Sequence, residues 1–293
     1  MDHIEFGKAL LDTLDLDPVY VMLVRANLSE KQLKKWLLAY WCFYKAGVAS
    51  CFSELDDSEY YKYMMEAAVN KDKNWPRGME RRHFRGQAAI DGVAGLMKFG
   101  EPEKVVDFMT GHYLQVDVID FDEIFHNVQD FPMFGPWIAW KISDMTERVL
   151  KYPVDFSHCD LGIYRDPVKG AAFIKYGDKE HDITRDEVME VAYQLCEDFK
   201  DYKAPPSLDR PFNVQEAETV LCKYKAAYGH KHNKSFYHVG KDTYDVYESL
   251  QGWGDLAQEL ADKMPLKELF EWYVATGQAS NVPTWLMEAY NGD

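Results

Sequence analysis

The chain is short of cysteine, short of positive charge and without long apolar runs, and each shortage removes a class of protein. Its five cysteines, Cys42, Cys51, Cys159, Cys196 and Cys222, are odd in number and scattered without CxxC spacing. That argues against a disulfide framework or a zinc cluster and for a reducing cytoplasm. No uncharged apolar run reaches the roughly 20 residues of a membrane helix. The N-terminal Met1-Asp-His-Ile-Glu lacks the basic and apolar regions of a signal sequence, so no membrane partner is expected. Lysine and arginine total 33 against 49 acidic residues, a formal net charge of -16. Such an excess counts against broad nucleic-acid binding, which phosphate neutralisation drives. It leaves room for a narrow positive strip, because binding follows the local field and not the sum.

Apolar and aromatic side chains are abundant: 47% and 15% of 293 residues, ample for a buried core in one or two domains. Their spacing is helical almost throughout. Residues 3–27 read as a helix interrupted at Asp17-Pro18, with Pro18 in a first-turn position. Ser29-Glu-Lys-Gln32 has the pattern of a capping box, opening a helix from Glu30 to near Glu54. Along it Leu33, Trp36, Leu37, Tyr40, Trp41, Tyr44 and Val48 recur at three and four, the mark of a core-facing side. Gly47 and its small neighbours would admit a close helix crossing. Further helices are predicted from Asp57, Gln87, Pro102 and Phe121, and the Pro/Gly turn at Phe131–Pro136 precedes a long amphipathic one. Residues 162–182 give weak signals. Thr184 and Asn213 cap helices running to about Phe199 and to Tyr228, with the proline-rich stretch Ala204–Pro211 between them. The class expected is all-α.

The densest chemistry lies in Trp75-Pro-Arg-Gly-Met-Glu-Arg-Arg-His-Phe-Arg-Gly86, where Arg77, Arg81, Arg82 and Arg85 crowd together in an acidic chain. Pro76 and Gly78 predict a turn and Met79 the start of a short helix, on which Arg81 and Arg85 share a face. Planar guanidinium forks suit phosphate or pyrophosphate. The alternative is a solvated face with Glu80 as internal counter-ion.

Two segments resemble helix-hairpin-helix DNA glycosylases: Phe134-Gly-Pro-Trp-Ile-Ala139 is similar to their phosphate-binding hairpin, and Pro153-Val-Asp155 to the segment bearing their base-facing aspartate. The usual second hairpin glycine is replaced by Phe134 or Pro136, and Asp155 is followed by Phe-Ser-His. A resemblance that covers nearly the whole chain is to the bacteriophage amino acid:DNA transferases, the α-glutamyl/putrescinyl thymine pyrophosphorylases. It is carried by Asp17-Pro-Val-Tyr20, Tyr40-Trp-Cys-Phe-Tyr-Lys-Ala-Gly-Val-Ala49, Pro76–Gly86, Phe134–Met145 and Asn213–Lys225.

That resemblance implies a glycosylase-like helical architecture with an additional C-terminal helical part. The division expected is 1–203, holding the Arg-rich motif and hairpin, and 204–293, packed on the same core or continuous with it. The reaction implied replaces the pyrophosphate of 5-pyrophosphoryloxymethyl-uracil in double-stranded phage DNA with glycine, glutamate or putrescine. It would follow a kinase acting on 5-hydroxymethyluracil, in the cytoplasm of the bacterial host. Arg77, Arg81, Arg82 and Arg85 would then stabilise the departing pyrophosphate.

The amine must be neutral to attack, so a base is needed. Asp155 is the first candidate, with Glu216 and His158 behind it, and a helix N-cap is the competing reading of Asp155. Gly135, Trp137, Lys141, Lys231, Lys234 and Lys241 are candidates for DNA contact. Gln215, Glu218 and Lys225 fall on one stripe that could hold the amine donor, or be a solvated face. Trp75 or Phe84 could support an unstacked base. Direct displacement is favoured over addition of a thiolate from Cys159 or Cys222 to the base. No cofactor or metal ligand set is expected, although Mg²⁺ could assist pyrophosphate departure. Two other functions stay open: a glycosylase using Asp155 on a modified pyrimidine, and a non-catalytic DNA-binding or kinase-associated module.

Overall fold

The computed structural model describes residues 1–69, 74–229 and 237–290. Lys231 and Lys234 lie outside them. In chain order the helices are α1 (His3–Asp12), α2 (Pro18–Ala26), α3 (Glu30–Phe43), α4 (Ala46–Glu54), α5 (Asp57–Val69), α6 (Gly86–Phe99), α7 (Pro102–Met109), α8 (Phe121–Gln129) and α9 (Pro136–Arg148). They continue as α10 (Arg165–Tyr176), α11 (Arg185–Asp198), α12 (Val214–Tyr228), α13 (Lys241–Leu250), α14 (Asp255–Ala261), α15 (Leu266–Ala275) and α16 (Thr284–Ala289). Two short strands, β1 (Ile119–Asp120) and β2 (Val154–Asp155), pair in parallel. The fold is mostly α, as the periodicity predicts. No helix among the described residues is long and apolar enough to cross a membrane.

Capping explains where several helices start. Asn213 and Thr184 form reciprocal boxes with Glu216 and Glu187. Ser29 accepts from the Gln32 amide, which is half of the expected box. Two expectations fail. The single helix over 30–54 is two, because Tyr44 adopts the left-handed region (φ 51°) and ends α3. Residues 162–182 hold a full helix, α10. Its Pro167 sits harmlessly in the first turn, and its buried side is made of Gly170, Ala171 and Ala172, too small to register as an apolar stripe. A Cβ at Gly170 would lie 2.4 Å from the Leu221 carbonyl oxygen, so α10 lies nearly backbone to backbone on α12.

Contacts divide the chain into two compact units, and residues 1–203 and 204–293 each contribute to both. One comprises Met1–Val24, Cys159–Asp245 and Met264–Asp293. Its interior is stitched by Asp15. One carboxylate oxygen accepts from the Tyr237 hydroxyl (2.5 Å) and the Gly240 amide (2.8 Å), the other from the Thr243 amide (2.8 Å) and hydroxyl (2.7 Å). Asp15 thus serves the start of α13 from more than two hundred residues away. Lys223 donates to the Asp15 main-chain carbonyl and pairs with Asp242 at 2.7 Å.

The other unit comprises Arg25–His158 and Val246–Lys263. Around buried Trp36, Trp41, Phe43, Phe52 and Trp140 its helices pack closely. The Trp36 indole donates to the Ser50 hydroxyl (3.1 Å). The crossing expected at Gly47 is made against the Trp253 ring and the Ser249 carbonyl, which a Cβ would meet at 2.2 and 2.3 Å.

Removing the Asp15 carboxylate should strand four donors. Asp15→Ala is expected to cost about 3 kcal/mol of unfolding free energy, read as a lowered denaturant midpoint at unchanged slope.

Candidate active site

The Arg-rich stretch is not the helix its spacing suggests. Gly78 begins a single 3-10 turn, Met79–Arg81, and Arg85 is already extended (φ -150°, ψ 155°) as the residue before α6. Arg81 and Arg85 therefore share no helical face, and the four arginines separate into two roles. Arg77 and Arg81 point inward. Arg77 donates from Nε to the Phe84 carbonyl (2.8 Å), from Nη1 to Trp75 (2.5 Å) and from Nη2 to Ala67 (2.5 Å). Burial lowers its pKa to about 10, still charged at neutral pH. Arg81 donates to the Met133 carbonyl (2.7 Å) and the Cys42 carbonyl (3.3 Å). Its guanidinium carbon lies 4.7 Å from the Phe84 ring centroid and 4.9 Å from that of Phe134. Its Nη2 is buried without a hydrogen-bond partner among the described residues, and burial pulls its pKa down.

Arg82, His83 and Arg85 point outward. Arg82 donates to the Met79 carbonyl (2.9 Å), and Arg85 makes no side-chain hydrogen bond among the described residues. Directly after Arg85, α6 starts at Gly86 in the left-handed region (φ +66°), where a side chain would be strained. The hairpin joins α8 to α9 and ends at Gly135. Neither α6 nor α9 receives a side-chain cap, so first-turn amides are available to an anion. A Cβ on Gly86 or Gly135 would meet nothing within 4 Å. Phe84, two residues before Gly86, packs edge-on to Phe134, the residue before Gly135, at 6.3 Å. Arg81 lies against both rings and so ties the loop before α6 to the hairpin before α9.

One turn into α9 the surface becomes aromatic. Trp36 stacks on Tyr40 (4.8 Å), Tyr40 on Tyr44 (4.6 Å), and half-buried Trp137 meets Tyr44 edge-on at 5.3 Å. The Tyr40 hydroxyl bonds to Tyr44, and burial raises its pKa well above the ordinary range, with Tyr44 and Glu80 pushing the same way and Lys141 opposing. Lys141 is buried, 3.9 Å from the Asp144 carboxylate, itself 3.3 Å from Arg148. It is an interior lysine, not a surface contact for backbone phosphate. Phe84 is buried core and Trp75 packs on Phe52 and Trp253. Periodicity marks Tyr40 and Tyr44 only as core; their sequence sign is membership of the conspicuous stretch 40–49.

Asp155 is an exposed residue of β2 whose carboxylate accepts from the Ser157 amide (2.8 Å). That bond, with help from His158, lowers its pKa. It caps no helix: the following 3-10 turn, Leu161–Ile163, is capped by Asp160. His158 is exposed nearby. In the other unit, Glu216 is fully buried, bidentate with Arg210 (3.0 and 2.8 Å) and bonded to the Asn213 amide. Gln215 is buried and accepts from the Asn213 side chain (3.0 Å). Glu218 accepts from the Cys222 thiol (3.2 Å) and the Thr219 hydroxyl (3.3 Å). Lys225 pairs with Asp166, and Lys241 with Asp245. The α12 stripe is therefore no solvated face. Burial and the adjacent Glu218 push the Cys222 thiol well up, so it is a poor source of thiolate.

The sequence profile of the amino acid:DNA transferases matches residues 2–234. The chain belongs to that family. Among curated relatives of this transferase, the glycinyltransferase of Pseudomonas phage PaMx11 is 38% identical over 288 residues, covering 89% of this chain and 95% of that protein. The putrescinyltransferase of Delftia phage PhiW-14 is 28% identical over 272 residues, covering 89% and 82%. The exposed arginines, the hairpin and the Tyr40–Tyr44 ladder all fall inside the part of the transferase that the family profile spans.

The inward and outward arginines should behave oppositely in unfolding experiments. Arg81→Ala is expected to lose about 2–4 kcal/mol, since it vacates a core position and strands two carbonyls. Arg85→Ala should leave the thermal midpoint within about 2 °C. Burial holds Cys42 and Cys196 up to about 12 and Cys222 higher than usual. Iodoacetamide at pH 7.5 should therefore leave these three unmodified in the folded protein, as peptide mass mapping would read.

Proposed function

We propose that this transferase replaces the pyrophosphate of 5-pyrophosphoryloxymethyl-uracil in DNA with a small amine. The observation that carries the reading is the anion cradle: exposed Arg82, His83 and Arg85 directly before the uncapped start of α6, in a chain of net charge -16. A protein so acidic gains nothing from clustered outward cations unless they meet an anion. Family membership names the reaction class, and the greater identity to a glycinyltransferase makes glycine the first donor to test.

In direct displacement the amine nitrogen forms a bond to the 5-methylene carbon. The carbon–oxygen bond breaks, and pyrophosphate leaves with the electron pair. Charge grows on the leaving oxygens, where Arg85, Arg82 and the amides of α6 and α9 stabilise it. Arg77 and Arg81 shape the loop that presents them. Gly135 takes the neighbouring DNA backbone. The amine gives up a proton in the process. Asp155, kept ionised by Ser157, is a weak base suited to holding the donor's ammonium, and the His158 imidazole suits the proton. Glu216 is tied to Arg210 and the α12 cap. Gln215, Glu218 and Lys225 could receive a donor only by releasing Asn213, Cys222 and Asp166. A kinase acting on 5-hydroxymethyluracil in DNA would supply the substrate.

The test incubates the protein with duplex DNA carrying 5-pyrophosphoryloxymethyl-uracil and each of glycine, glutamate and putrescine, then reads nucleosides by mass spectrometry and released pyrophosphate. An amine-substituted thymidine with equimolar pyrophosphate is expected, and Arg85→Ala should slow its formation by roughly 100-fold. Free base and abasic sites would assign a glycosylase instead. Unchanged DNA bound equally well whatever the 5-substituent would assign a binding module.

A further inference from the structure

We infer that Tyr44 and Trp137 form the stacking platform for the pyrimidine whose 5-substituent is exchanged, an inference that rests on the transferase reading above. Trp36, Tyr40 and Tyr44 make a continuous stack with ring spacings of 4.8 and 4.6 Å and interplanar angles of 21° and 29°. The inner rings are buried, and the outer end, Tyr44 with Trp137, is half-buried. The stack runs from the core to a half-buried outer end, where Tyr44 and the edge-on Trp137 stand at 63° to each other and offer two aromatic surfaces.

The backbone goes to some length to put Tyr44 in that place. A bulky aromatic at φ 51° is a conformational outlier, and such outliers persist only where the surroundings enforce them. Here the Tyr44 amide bonds back to the Tyr40 carbonyl (2.6 Å) and the Gly78 amide bonds to the Phe43 carbonyl (2.9 Å). A Cβ at Gly78 would lie 2.4 Å from the Tyr44 carbonyl oxygen, so the Arg-rich loop and the αL tyrosine are locked together by that glycine. Trp137 meets the Tyr44 ring at 63° from the first turn of α9, two residues after Gly135. The platform therefore shares its two supporting segments, the Arg-rich loop and the start of α9, with the anion cradle. A pyrimidine ring that stacks on the platform must have left the duplex.

The experiment uses the full chain and a duplex with one 5-pyrophosphoryloxymethyl-uracil beside 2-aminopurine, whose fluorescence rises when its neighbour unstacks. Wild type should raise the fluorescence. Tyr44→Asn, which tolerates the left-handed backbone but removes the ring, and Trp137→Ala should abolish the rise. Each should lower kcat/KM by roughly 10- to 100-fold, the worth of one base–aromatic stack, while DNA binding by anisotropy changes by less than about 5-fold. Tyr44→Phe should restore both signals. A full fluorescence rise and near-normal kcat/KM in Trp137→Ala and in folded Tyr44→Asn would overturn the platform. If Tyr44→Asn does not fold, Trp137→Ala alone decides. A wild-type protein that unstacks the base but forms no amine product would overturn the transferase reading and leave the platform standing.

Discussion

A guanidinium sealed between two phenyl rings is the contact on which the candidate site depends. Arg81 joins three segments distant in sequence: the end of α3 through the Cys42 carbonyl, the hairpin through the Met133 carbonyl, and its own loop through the Phe84 ring. A carbonyl is the partner that a hairpin before a helix start has to spare, and no side chain but arginine brings enough donors to reach two of them from one point. Arg77 does the same for Ala67, Trp75 and Phe84. Both cations are held by backbone dipoles and ring faces. That arrangement places positive charge behind the loop as well as in front of it, and adds to the field at the two helix starts.

The net charge of -16 and a DNA substrate are reconciled by this local arrangement. A uniformly basic surface would bind DNA anywhere; a single cationic margin on an acidic body restricts where a phosphate is favoured. Such a margin favours an extra, accessible phosphate over the evenly spaced backbone, which is the discrimination that the substrate proposed above would require.

How much of this was legible in the sequence differs element by element. Caps were, because they are local: Asn213 with Glu216 and Thr184 with Glu187 sit at fixed spacing and form as written. The arginine cluster was legible as a contrast with its acidic surroundings, but the division of labour within it was not. Arg81 and Arg85 look like an i, i+4 pair; only the left-handed Gly86 and the 3-10 turn before it, set by packing against the hairpin, turn one inward and the other out. Tyr44 was hidden for a similar reason. Its spacing continues the apolar stripe of α3 without a fault, and nothing about a tyrosine announces positive φ, since the restraint comes from Gly78 in another segment. Helix α10 escaped because its buried side is glycine and alanine, which serve close approach and carry no hydrophobic signal.

The two irregularities, a buried arginine and a left-handed tyrosine, lie in separate segments that Gly78 brings together. Each costs stability, and neither is needed to build a helical core: a phenylalanine could fill the Arg81 site, and α3 could run on into α4. What they achieve together is placement. Arg81 fixes the hairpin against the loop, Gly78 fixes the loop against Tyr44, and Trp137 at the start of α9 closes the circuit back to Tyr44. Segments held in one closed circuit cannot shift independently, and the reaction proposed above, with the base on the rings and its leaving group at the arginines, would require that their separation not vary.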